Sequence, residues 1–147
     1  MSTDQGTGRL TLAQARQIIA GALAKGGELG LKPLGVAVLD PGGHLVAFER
    51  QDGASTLRPQ IAAAKASGAL AMGVSSRKIA EMAAERPTFI ATLGTIAPQG
   101  LLPAAGGVLI KGTDGAPIGA VGVTGDTSDN DELCALAGVA AAGLSVI

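Results

Sequence analysis

Tryptophan and tyrosine are absent from these 147 residues, and the only aromatic side chains are Phe48 and Phe89. Without aromatic platforms the chain has nothing on which to stack unpaired bases. Its net charge of −1 offers no positive field for a phosphate backbone or an anionic lipid surface. Cys134 is the single cysteine, which excludes an internal disulfide and every multi-cysteine zinc motif. No window of about 20 uninterrupted apolar residues occurs, so no membrane-spanning helix is expected. The opening MSTDQGTGRLTLAQ lacks the basic region and apolar stretch of a secretory signal. These absences together lead to the expectation of a cytoplasmic protein with neither a nucleic-acid nor a membrane partner.

Charge is also scarce, at 16% of residues against 47% hydrophobic, the reverse of a disordered composition. One domain over residues 10–147, behind a flexible polar tail at 1–9, is therefore expected. Glycine is plentiful: 23 residues, a share roughly twice the usual value of about 7%. The glycines follow no period, so collagen is excluded. Gly119, Gly122 and Gly125 have neither the spacing nor the setting of a dinucleotide-binding turn, and GGVLIKG lacks the phosphate-loop spacing. Bare backbone at these positions, and at Gly106 and Gly107, instead lets another element or a ligand approach closely.

Thr11 and Gln14 have capping-box spacing, and the apolar residues that follow repeat at helical intervals, which predicts a helix over 11–29. Leu34–Leu39, the DPGG turn and His44–Arg50 read as a hairpin. Helices are predicted over 59–72 and 76–86. TFIATL reads as a short strand, followed by a long loop up to about residue 106. Val108–Lys111 and Ile118–Thr124, around an Asp-Gly turn, form a second hairpin. GDTSDND caps a last helix over 131–144 at Asp129 or Asn130. The fold class is α+β: one antiparallel sheet of four to five strands flanked by helices.

His44 is the only histidine in the chain. Simple strand alternation would set His44, Val46, Phe48 and Arg50 on one face. An imidazole beside apolar neighbours suits an iron ligand or a general base; the alternative is a turn residue bonded to nearby backbone. Arg50 can clamp a carboxylate, or pair with Asp52 to hold the loop. His44 and Arg50 are roughly 20 Å apart along one strand, so they serve different ends of a large ligand or meet across a subunit interface. Lys65, inside an apolar helix, either reaches into a pocket or lays its stem along the helix with its ammonium in water. Glu81 and Glu85, four apart on one helix face, either grip an iron or other cation or form a solvated face that Arg77 and Lys78 balance. Cys134, Met72 and Met82 read as core residues.

VAVLDPGGHLVAFERQDGA, AAAKASGAL and AAGGVLIKGTDGAPIGAVGVTG, followed by an Ala-rich helix, resemble the GlcG/HbpS-like family over about residues 10–144. The resemblance implies a profilin-like α-β-α sandwich. It also implies assembly as a homo-oligomer of even subunit number, often an octamer, and haem as cofactor or substrate. On that reading His44 is the metal ligand, with Arg50, Asp52, Lys65, Gly106 and Gly107 as further ligand contacts. Two other readings stay open: a small catabolic enzyme using His44 as base on a carboxylate-bearing metabolite, and a scaffold without catalysis.

Overall fold

A computed structural model describes residues 9–147; most of the tail expected at 1–9 lies outside the described residues. Chain order is α1 (Leu12–Leu29), β1 (Gly35–Leu39), β2 (Leu45–Arg50), α2 (Arg58–Met72), α3 (Ser76–Glu85), α4 (Pro87–Leu93), β3 (Gly107–Lys111), β4 (Pro117–Thr124), α5 (Ser128–Ala141) and β5 (Ser145–Val146). The five strands form one sheet in the order β2-β1-β4-β3-β5, and every pairing is antiparallel. The expected α+β class and sandwich are both present.

The capping box is complete. Gln14 N–H donates to Thr11 Oγ1 at 3.1 Å, and Thr11 N–H donates to Gln14 Oε1 at 3.0 Å. Helix α1 ends at Gly30, whose φ of 68° suits a residue without a Cβ. Strand alternation then divides the core. Val36, Val38, Val108, Ile110, Val121 and Val123 meet Ile18, Ile19 and Val139 of α1 and α5 on one face. On the other face Leu39, Leu109 and Ala120 meet Ala66 and Ala69 of α2. Helix α2 lies very close to the sheet: a Cβ on Gly122 would overlap the Ala62 carbonyl oxygen, and one on Gly107 would overlap that of Lys65. The close-approach reading of these glycines is correct.

Three local expectations differ from the structure. TFIATL is helical, as part of α4, because Pro87 both ends α3 and starts α4, a position where its missing N–H costs nothing. Ile90 N–H and Gly94 N–H donate to Arg86 O and Ile90 O. Helix α5 starts earlier than expected, capped by Thr127 Oγ1 rather than Asp129 or Asn130. It stops before Gly143, leaving Ser145–Val146 to pair with β3. Finally, β2 begins at Leu45 and carries a β-bulge: Val38 pairs with Ala47, whereas the adjacent Leu39 pairs with Leu45. Val46 is thus an extra residue, and both it and Ala47 pack on the α1–α5 core. Simple alternation of His44 with Val46, Phe48 and Arg50 therefore fails.

Candidate functional site

The DPGG turn positions His44. Asp40 Oδ1 accepts the backbone N–H groups of Gly42 at 2.9 Å and His44 at 3.0 Å, and Gly43 takes a φ of 86°. Burial pushes the Asp40 carboxyl up. The two N–H donors and the adjacent imidazole outweigh this and leave it below its ordinary range. The imidazole itself is 78% exposed, with Nδ1 3.3 Å from Asp40 Oδ1. A carboxylate beside Nδ1 leaves Nε2 without a partner among the described residues, and such a neighbour is common at metal-ligating and basic histidines. Beside it is a partly enclosed cavity of about 320 Å3. Its walls come from the turn, from Ser67, Leu70 and Ala71 of α2, and from Pro98 and Gln99 of the loop after α4.

Arg50 and Asp52 are at the other end of β2. With Leu31, Pro33 and Gln51 they line an open depression of about 530 Å3. Neither makes an ion pair among the described residues, so no Arg50–Asp52 bridge holds this loop. Gln51 secures it, its Oε1 accepting Leu34 N–H at 2.8 Å.

Lys65 turns neither to solvent nor into the depression beside Gln51 and Asp52. It is 3% exposed, and its Nζ donates to Val123 O at 2.9 Å and to Asp131 Oδ2 at 3.2 Å. The other Asp131 oxygen accepts Asp126 N–H at 2.9 Å. Burial lowers the Lys65 pKa against the opposing pull of Asp131. Gly106, at a φ of 129°, leaves room for this ammonium: a Cβ there would stand 2.8 Å from Nζ. Lys65, Gly106 and Gly107 are therefore brought together around a buried ion pair that joins α2, β4 and α5, while His44 and the Arg50–Asp52 loop each stand apart. Asp131 was not singled out from the sequence, although a signal was available. It shares a helix stripe with Cys134, Ala135, Gly138 and Val139, all buried, and an acid on such a stripe requires a buried cation.

The remaining candidates have local roles. Arg77 pairs with Asp129 and Glu132, and Lys78 with Glu81. Cys134 is buried, and desolvation raises its thiol pKa to about 11, so it is not a nucleophile. Met72 and Met82 are half-buried. Among the described residues no three His, Cys, Asp or Glu side chains cluster to hold a bare metal ion, and no helix is long and apolar enough to cross a membrane.

Residues 10–140 match the family described as haem degrading protein HbpS-like. A double mutant of Streptomyces reticuli HbpS is 30% identical, with 95% of this chain and 89% of that chain covered, at a TM-score of 0.79. Klebsiella pneumoniae protein ORFY is 26% identical, with 97% of each chain covered, at a TM-score of 0.83. A PduOC–haem complex shares the fold, at 21% identity and a TM-score of 0.82, with 93% of this chain and 97% of that chain covered. No curated protein matches the chain.

Proposed function

Because the chain belongs to the HbpS-like family, we propose that it binds haem, with the His44 imidazole as protein ligand to the iron. The observation that carries this is the Asp40–His44 pair: a lone, solvent-facing imidazole with a carboxylate 3.3 Å from its Nδ1. Neutral imidazole donating through Nε2 is a common haem ligand, so the residues fit the group. Bound haem would supply a redox-active iron. The Asp40 carboxylate, 3.3 Å from Nδ1, would bias the ring toward presenting Nε2.

Within one chain, Arg50 is roughly 20 Å from His44, too far to share a small ligand with it. We assign Arg50 and its neighbour Asp52 to a polar contact supplied from a second subunit of an even-numbered homo-oligomer. Exposed Leu133 and Leu136 on α5 and Leu45 on β2 are apolar surface that such an assembly would cover.

Hemin titration followed by absorption spectroscopy tests the ligand assignment. The expected result is a saturable Soret band that His44→Ala abolishes or shifts, with far-UV circular dichroism unchanged. An identical bound spectrum in His44→Ala would overturn it. Multi-angle light scattering tests the assembly, and a mass of 14.3 kDa, that of one chain, would exclude it.

A further inference from the structure

Five polar or charged residues are buried among the described residues: Lys65, Ser67, Ser76, Thr124 and Asp131. Four have partners. Lys65 binds Asp131 and Val123, Ser76 binds the Gly107 backbone, and Thr124 accepts from Arg58 at 2.7 Å. The Ser67 hydroxyl, on a residue 5% exposed, makes no hydrogen bond among the described residues. A helical hydroxyl ordinarily donates to the carbonyl four residues earlier, as Thr92 does to Thr88 O at 2.8 Å. Ser67 does not, and it lines the His44 cavity. A buried hydroxyl without a partner is destabilising and calls for an explanation.

We propose that this cavity binds a small uncharged molecule whose carbonyl or hydroxyl oxygen accepts the Ser67 hydroxyl proton. Its volume of about 320 Å3 lies at the lower end of the range for small-molecule sites. The apolar walls of Pro41, Leu70 and Pro98 suit a flat hydrocarbon body. Charge selects for neutrality. No Lys or Arg lines the cavity. Leu70 and Ala71 belong to the last turn of α2, the partly negative end of the helix. The Asp40 carboxylate lies behind the imidazole. An anion is therefore repelled. A cation would find no carboxylate among the lining residues to replace its lost hydration. The proposal rests on Ser67 and the apolar walls and does not depend on haem ligation by His44.

Benzamide and benzoate, matched in shape and opposite in the property at issue, are suitable probes at pH 7.5 in 1H–15N correlation spectra. Benzamide should shift the amides of Gly43, Ser67, Leu70 and Ala71 saturably, with benzoate at least tenfold weaker. Ser67→Ala should weaken benzamide about tenfold. The same change should raise the melting temperature of the ligand-free protein by about 3 °C, because the orphan hydroxyl is gone. Unmoved amides, equal benzamide affinity in Ser67→Ala, or a lowered melting temperature would each overturn the proposal. None of these measurements contains haem, so they fail or succeed separately from the hemin titration.

Discussion

Replacing Lys65 with Met strands Asp131, 1% exposed, without its counter-ion. At 3.2 Å and an effective dielectric constant of about 20, the lost attraction is about 5 kcal/mol. Of the other contacts, only the Asp126 N–H still satisfies the carboxylate. Breaking a buried pair from one side costs about 3–5 kcal/mol. With about 2 cal/mol/K of unfolding entropy per residue, a chain of 147 residues loses about 3 °C of melting temperature per kcal/mol. Lys65→Met should therefore melt roughly 10–15 °C lower. Lys65→Met combined with Asp131→Leu should recover most of that loss, since removing both charges ends the desolvation penalty. A residual cost of about 1 kcal/mol remains for the orphaned Asp126 N–H. Differential scanning calorimetry on the two single variants and the double variant measures the coupling. A Lys65→Met shift within about 3 °C, or a double variant whose loss equals the sum of the singles, would refute a structural pair.

Gly122→Ala should destabilise by about 1–3 kcal/mol or more, because its methyl group overlaps the Ala62 carbonyl; urea denaturation reads this as a lowered midpoint, and a wild-type midpoint would show that α2 can move away. Thr11→Ala removes one half of the capping box and should cost about 1 kcal/mol, measured as faster amide exchange in the first turn of α1. Asp126 donates stability through its acidity. Hydrogen bonds from Asn130 Nδ2 and from the backbone of Thr127 and Lys32 hold its pKa at about 2, against 3.8 unperturbed. The folded value lies below the unfolded one, so the contribution is complete above the unfolded pKa and disappears as pH falls towards about 2. Acid titration of Asp126→Asn should show a shallower loss of stability in that window than the wild type, and superimposed curves would dismiss the assignment.

The fold was more legible than the site. Helix caps, hairpin turns and apolar periods are local, and Thr11, Gly30 and the DPGG turn act as their neighbours in sequence dictate. TFIATL misled because β-branched and aromatic residues favour strands, whereas the proline before them set a helix start. The His44 face misled because a bulge is a property of the pair β1–β2 and leaves no mark on β2 alone. Lys65 and Asp131 are 66 positions apart, and only the closing of α5 over the sheet brings them together. Ser67 was invisible in sequence, since what distinguishes it is the partner it lacks.

The bulge at Val46 also determines how the hairpin tolerates changes in length. Val46 has no cross-strand counterpart, so its deletion leaves Ala47 opposite Val38 and Leu45 opposite Leu39. Deletion at Phe48 or Glu49 instead slips the ladder by one residue and exchanges the two faces of the segment it displaces. The segment from Asp40 to Arg50 thus has one position where the chain can shorten without reorienting the imidazole. Deletions in a library of length variants should therefore concentrate at Val46, with the spacing between Asp40 and His44 left unaltered.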